Sequence, residues 1–286
     1  MKLSHDPLQD QEVKQEIDRI FNTVTLETIS SVTHQQFDRA WRNWITSSQY
    51  HTCLGLSTLP YSGFIPGTTD AFGEFLSRHN HRRIRVSHSD FVLTKILARA
   101  WNRDLVELEK TSLSSEDCVI ISLPFSGNGS YYPDWQNLLD HAEKLQVPVF
   151  LDAAYFGISH GLEFNFNRTC ITDVAFSLSK NLAGNPLRLG IRFTRDNIDD
   201  GITAGLLGSD IFDRLNAYIC IQLLEKFPHA WLINKYLRHS TAICQNNNLA
   251  TTNTITLALG PNNMTEYKRG DYVRIVISEE LSKSIS

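Results

Sequence analysis

Lys180 closes the run Val174-Ala175-Phe176-Ser177-Leu178-Ser179-Lys180, and Arg188 follows eight residues later in Leu187-Arg188-Leu189-Gly190. Upstream, the apolar run from Val147 to Leu151 leads into Asp152-Ala153-Ala154-Tyr155-Phe156-Gly157. An amine, an acid, a phenol, two hydroxyls and a guanidinium therefore fall at the ends of strand-like segments. An amine of this kind can condense with an aldehyde, and an acid can keep a pyridine nitrogen protonated so that the ring draws electrons from a substrate. A guanidinium beside hydroxyls suits a phosphate. Pyridoxal phosphate combines all three features, and this set of side chains is what it needs.

The elements that must hold these groups alternate in type. Arg83–Ser87 reads as a strand, Phe91–Trp101 as a helix and Leu105–Leu108 as a strand. Cys118–Leu123 reads as an apolar strand closed by Pro124, and Asp134–Lys144 as a helix. Val147–Leu151, Val174–Leu178 and Leu189–Phe193 read as further strands. The pattern predicts an α/β fold, a mostly parallel sheet with helices on both faces, and ligands at the carboxyl ends of its strands.

The flanking regions differ. The first fifty residues predict amphipathic helices, with Ile17, Ile20 and Phe21 on one stripe and Phe37, Trp41 and Trp44 on another. Leu56–Thr69 reads as a loop rich in Gly, Pro, Ser and Thr, followed by a helix over Asp70–His79 with Ala71, Phe72, Phe75 and Leu76 on one face. Beyond about Asp200 come two long helices, Asp210–Phe227 and Trp231–Gln245, then strands over Thr254–Leu259 and Tyr272–Ile277. The expected division is an N-terminal helical segment at 1–50, a cofactor-binding major domain at 51–205 and a reduced α+β small domain at 206–286. The N-terminal segment would join the small domain or form a dimer arm.

Asp152-Ala153-Ala154-Tyr155-Phe156-Gly157, with Gly161 four residues on, resembles the D-x-A-Y-x-G-x-x-x-G segment of aspartate-aminotransferase-like, fold-type I pyridoxal phosphate enzymes (class I/II aminotransferases). Ser177-Leu178-Ser179-Lys180 with Arg188-Leu189-Gly190 resembles that family's S-x-S-K…R-x-G element. The resemblance runs from about Gly67 to Phe193, with one more point near Arg274. It implies a seven-stranded, mostly parallel sheet and a homodimer with active sites at the subunit interface.

It also implies a role for each residue. Lys180 would hold the cofactor as a Schiff base and then move the substrate's α-proton. Asp152 would meet the ring nitrogen and Tyr155 the phenolate oxygen. Ser177, Ser179 and Arg188 would bind the phosphate, joined by Gly67, Thr68 and Thr69 at a helix start. Phe91, or alternatively His88, would stack on the ring. Arg274, out of pattern in a β-branched strand, would hold the substrate α-carboxylate. Leu123 stands where many family members have an asparagine, and Ser126 or Asn128 are candidates for its bond. Tyr50 and Tyr61 are candidates for a tyrosine lent by a neighbouring subunit.

Composition narrows the alternatives. A net charge of −4 gives no basic footprint for nucleic acid or an anionic membrane surface. The longest apolar run falls short of the ~20 residues of a membrane span. Five widely spaced cysteines without a C-x-x-C pair fit reduced thiols in a cytoplasmic protein rather than zinc or disulfides. No G-x-G-x-x-G joins an early strand to a helix, which disfavours a nicotinamide oxidoreductase, and no helical His-x-x-x-His suggests a metal. The expected activity is amino transfer between an amino acid, or a related small amine, and a keto acid. Decarboxylation, elimination, racemisation and oxidation start from the same bound state, and a non-catalytic descendant of the fold is a further alternative.

Overall fold

The structure, a computed structural model, describes residues 7–184, 186–198, 200–202 and 212–285. The chain opens with helices α1 (Gln11–Thr23), α2 (Leu26–Ser30) and α3 (His34–Thr46). Asp10 caps α1 through the N–H groups of Glu12 and Val13, and Thr33 with Gln36 forms a capping box at α3. The expected stripe on α3 is the buried one: Phe37, Trp41 and Trp44, with Ile45 added.

Strand β1 (His51–Leu54) comes next, followed by β2 (Tyr61–Ile65) and helix α4 (Thr68–Arg78). Then β3 (Arg83–Val86), helix α5 (Val92–Ala100), β4 (Leu105–Glu107), β5 (Asp117–Ser122), helix α6 (Trp135–Lys144) and β6 (Val149–Ala153) alternate. After these come β7 (Leu162–Asn165), β8 (Ile171–Ser177) and β9 (Gly190–Thr194). The central sheet has seven strands in the order β2-β9-β8-β6-β5-β3-β4. From β4 across to β8 all neighbours are parallel, whereas β9 runs against both β8 and β2.

Because side chains alternate across a strand, each central strand feeds two cores. Cys118, Ile120, Phe150 and Ala175 pack on one face with Ala71, Phe72, Phe75 and Leu76, the stripe predicted for α4. Val119, Ile121, Leu151, Val174 and Phe176 face the other way, into a core shared with Trp41, Trp44 and the C-terminal helices.

Those helices are α7 (Arg214–Lys226) and α8 (Ala230–Asn246). The predicted start of the first, at Asp210, lies outside the described residues. A second sheet follows, built from β10 (Ala250–Thr251), β11 (Leu257–Leu259), β12 (Lys268–Arg269) and β13 (Tyr272–Val276), all antiparallel in the order β10-β11-β13-β12. Helix α9 (Ser278–Lys283) ends the described chain. No described helix is long and apolar enough to cross a membrane.

Strands β1, β2, β7, β10 and β12 have no counterpart in the sequence expectation. The segment read as a loop over Leu56–Thr69 contains β2, an edge strand whose Ser62 and Gly63 are held by main-chain bonds to β9. β1 and β7 pair in parallel as a separate two-stranded ribbon. Edge and ribbon strands need no continuous apolar run, so periodicity does not disclose them.

Phe72 of α4 meets Phe150 of β6 edge to face at 5.2 Å and is buried. Phe72→Ala is expected to lower the unfolding free energy by about 3–5 kcal/mol, read as a shift of the urea midpoint. A loss under about 1 kcal/mol would show that α4 is not packed on the sheet as described.

Candidate active site

A cavity of about 400 Å³ opens at the carboxyl end of the sheet. Gly67, Thr68, Thr69, Phe91, Asp152, Tyr155, Ser179, Lys180, Arg188 and Arg274 all line it. Ten side chains or turns singled out from sequence thus converge from five places in the chain. Ser177 does not line the cavity. Its hydroxyl lies 3.0 Å from that of Ser179 and accepts from the Ser179 N–H at 3.2 Å, so it supports Ser179 from behind. The alternation of an extended strand stops at Ser177, the last residue of β8, and the two hydroxyls no longer share a side.

Asp152 is the penultimate residue of β6 and is buried. Burial first, and then the nearby Asp90 carboxyl, push its pKa up to about 7. The Ala154 N–H at 3.0 Å, the Thr68 hydroxyl and the charge of Lys180 oppose that shift. An acid so placed favours its charged form as soon as a cation faces it. Tyr155 is half-buried three residues on. Burial raises its phenol, but the charges of Arg274, Lys180 and Arg269 together outweigh burial and hold it below its ordinary value. Nη2 of Arg274 donates to the Tyr155 oxygen at 2.8 Å.

The start of α4 suits an anion. Helix α4 starts at Gly67 with no side-chain cap, so its first N–H groups and its dipole are offered to the cavity. A Cβ on Gly67 would collide with Nη2 of Arg188, so the absence of a side chain is what lets the guanidinium lie against the helix start. An uncapped helix start, an arginine seated on it and a serine hydroxyl form a cradle that fits a phosphate. The buried acid of Asp152 fits a pyridinium, and Lys180 fits an aldehyde.

Several lining residues have no sequence signal of their own. Ser122 ends β5, where its hydroxyl and N–H both donate to the Asp90 carboxylate, at 2.5 and 2.9 Å. Ser126 lines the cavity close to the position left by Leu123, which is wholly buried. Asn128 is committed elsewhere: its amide donates to the Tyr131 carbonyl, and its oxygen accepts from the Ser130 N–H. His88 is held between Glu109 and Asp271, so of the two stacking candidates it is Phe91 that lines the cavity. Tyr50 and Tyr61 lie outside it; Tyr50 bonds Asn234. Pro7 and Leu8 wall one side, and Arg269 of β12 enters from the second sheet. An arginine in a polar hairpin reads as solvated surface, which is why Arg269 escapes sequence reasoning.

Residues 81–231 match the family described as Aminotransferase class I and II, more than half of the chain. The chain belongs to this family. It is therefore grouped with enzymes that depend on pyridoxal phosphate, and the matched span carries Phe91, Asp152, Tyr155, Lys180 and Arg188. No curated protein matches the sequence. Among solved structures, an aromatic aminotransferase from Pyrococcus horikoshii OT3 superposes with a TM-score of 0.67 at 13% identity, over 99% of this chain and 92% of that one. A PLP-bound C-S lyase from Staphylococcus hominis gives 0.69 at 12%, over 99% and 88%. An L-threonine-O-3-phosphate decarboxylase from Porphyromonas gingivalis gives 0.62 at 12%, over 96% and 94%. At such identities the likeness is one of fold.

This member of the family fixes its Asp152–Tyr155 turn with two buried imidazoles. Nε2 of His229 lies 3.0 Å, and Nε2 of His51 3.3 Å, from the carbonyl oxygen of Phe156, and the His51 Nε2 also lies 3.0 Å from the Ser159 hydroxyl, which donates to the same carbonyl at 3.1 Å. A carbonyl only accepts, so both Nε2 atoms carry the proton. The other ring nitrogens agree: Nδ1 of His51 accepts from the Leu162 N–H, and Nδ1 of His229 is 2.9 Å from the Ser48 hydroxyl. The next residue, Gly157, has no room for a Cβ against the Asn181 amide, and Asn181 adjoins Lys180. The clamp therefore presses the turn that carries Asp152 and Tyr155 onto the turn that carries Lys180.

Burial, above all, lowers His51 to about 3 and His229 to about 4. The unfolded imidazoles take up protons near pH 6.5, which the folded rings refuse until those lower values. The unfolded state therefore binds more protons across that window, and stability falls as pH drops through it. His51→Gln and His229→Gln are each expected to reduce stability at pH 7 by about 1–3 kcal/mol. Each should also make the fall between about pH 6 and pH 4 shallower by close to one proton. Urea titrations across pH check this, and an unchanged slope in both variants would refute the clamp.

Proposed function

We propose that the chain transfers an amino group between an amino acid, or a related small amine, and a keto acid. One observation carries this reading: Asp152, Lys180, Arg188 and Arg274 line a single cavity. When bound, pyridoxal phosphate supplies an electron sink for the pair left on the substrate's α-carbon. Arg188, Ser179 and the N-terminus of α4 hold the phosphate. Asp152 would keep a proton on the ring nitrogen by charge pairing. Tyr155 would hydrogen-bond the ring's phenolic oxygen, with Ser126 as a second candidate hydroxyl. Phe91 would stack on the ring.

Lys180 has two tasks. Its Nζ would hold the cofactor's aldehyde, and as a free amine it would serve as the base for the substrate's α-proton. Arg274 receives the substrate carboxylate as a fork. Because it also bonds Tyr155, carboxylate binding draws on the same guanidinium that lowers the phenol, and links substrate arrival to the charge at the ring.

Residues 51–205 serve as the cofactor-binding unit in this reading, with 206–286 as the small unit and 1–50 as its helical companion. A homodimer in the cytoplasm is part of the proposal. The family resemblance supports the dimer, and five unpaired thiols support a reducing compartment.

Purified protein given pyridoxal phosphate is expected to turn yellow, and borohydride should fix the cofactor covalently. Lys180→Ala should abolish that fixation, and Arg188→Ala should weaken cofactor affinity about tenfold or more. An amino acid without acceptor should yield one equivalent of keto acid and leave the cofactor aminated. The C-S lyase and decarboxylase folds define the other outcomes. Ammonia with repeated turnover would mean elimination, and carbon dioxide would mean decarboxylation.

A further inference from the structure

Asp90 is a buried acid to which the mechanism above gives no task. We propose that Asp90 is a positioning residue for the ring nitrogen: its ionised carboxylate, held behind Asp152 by Ser122, strengthens the grip of Asp152 and the ring on the proton between them. The proposal rests on the cofactor reading of the cavity and adds a second acid to it.

Strand register leads to it. In the parallel pair of β5 and β6, Ser122 stands opposite Asp152. Residues opposed across a ladder turn their side chains to the same face of the sheet. The Ser122 hydroxyl and the Asp152 carboxyl are therefore neighbours, and both residues line the cavity. That hydroxyl donates to one oxygen of the Asp90 carboxylate at 2.5 Å, and the Ser122 N–H donates to the other at 2.9 Å. The Phe91 N–H adds a third bond at 2.7 Å. The main chain of Asp90 is fixed as well: its N–H donates to the Ser87 carbonyl, and its carbonyl accepts from Nη2 of Arg269, each at 3.2 Å.

This bonding pattern decides which acid carries the charge. All three groups that meet the Asp90 carboxylate are donors. The oxygen of Ser122 accepts from the Ser126 N–H at 2.7 Å, which turns the hydroxyl proton toward Asp90. Asp152 has two such bonds, from the Ala154 N–H at 3.0 Å and the Thr68 hydroxyl. Asp90 is thus the acid that ionises first, and Asp152 holds its proton in the field of that charge. Burial raises both acids, and Asp90 is the next cause after burial for Asp152.

The balance of charge around the ring shows what the second acid does. Among the described residues that line the cavity, Lys180, Arg188, Arg269 and Arg274 are cationic and Asp152 is the acid. Four cations disfavour a positive ring nitrogen, and one carboxylate offsets them only in part. Asp90 supplies another negative charge from behind the wall. The charge of Lys180 acts on Asp152 and that of Arg269 on Asp90, so each acid also answers a cation.

Asp90→Asn keeps the size of the side chain and removes its charge. In the cofactor-free protein, NMR of aspartates labelled with ¹³C at the side-chain carboxyl follows each acid, with Asp90→Asn and Asp152→Asn supplying the assignments. Asp152 should titrate at about pH 7. In Asp90→Asn its midpoint should fall by about one pH unit or more, a tenfold weaker hold on the proton. Coupling between two sites is reciprocal, so Asp152→Asn should lower the midpoint of Asp90 by the same amount. A residue that only braced Phe91 and Ser122 would leave these midpoints where they are. An unmoved midpoint in either folded variant therefore overturns the proposal.

Pyridoxamine 5′-phosphate carries the ring and the phosphate without the aldehyde, so it binds without reacting with Lys180. With ¹⁵N in its ring, the nitrogen signal reports protonation directly. Asp90→Asn should lower the pH at which the bound ring loses its proton, again by about one unit, and a preserved midpoint would overturn the proposal. Failure of this compound to bind the unmutated protein would remove the cofactor reading, and the ring's part of the proposal with it. The carboxyl titrations would still decide the coupling of Asp90 to Asp152.

Discussion

β6 and β8 pair in parallel with Asp152 opposite Ala175 and Ala153 opposite Phe176. Both strands end at the same edge of the sheet, so the acid near the end of one and the amine three residues past the end of the other reach the same cavity. On the other side of β6, Ser122 of β5 stands opposite Asp152 and brings Asp90 with it. A slip of one residue in either pairing would turn Phe150, Leu151, Val174 and Phe176 to the wrong cores. The spacing of the reactive groups is thus guarded by the packing of apolar side chains that never touch a ligand.

Electrostatics then divides the cavity. The acid is buried and raised, the phenol is lowered by three cations, and an uncapped helix start faces the arginine that lies on Gly67. Each group is displaced from its ordinary state in the direction that a charged, phosphate-bearing ring would relieve. The His51–His229 clamp contributes no charge to this field. Its neutral rings hold the Phe156 carbonyl, and through it the turn that carries Tyr155.

The parallel core was legible because strands buried on both faces are written as apolar runs, as in Cys118–Ile121 of β5 and Val174–Phe176 of β8. Asp152 and Lys180 were legible because they stand at the ends of such runs, and Arg188 because it directly precedes the run Leu189–Phe193. What sequence could not disclose depends on distant partners. β2 exists through main-chain bonds to β9, and Arg269 reaches the cavity through a hairpin fixed by Ser89. Ser177 and Ser179 look equivalent on paper, yet the end of β8 gives them different directions.

The wall formed by Pro7 and Leu8 ties the two ends of the chain together. Asp10, just behind them, accepts from the Tyr236 hydroxyl at 2.6 Å and pairs with Lys235 at 2.7 Å, and the Gln9 N–H donates to Ser282 at 2.9 Å. A polypeptide leaving the ribosome would hold its Asp152 and Lys180 strands long before these C-terminal anchors emerged. The pocket can gain its final wall only after translation has reached them.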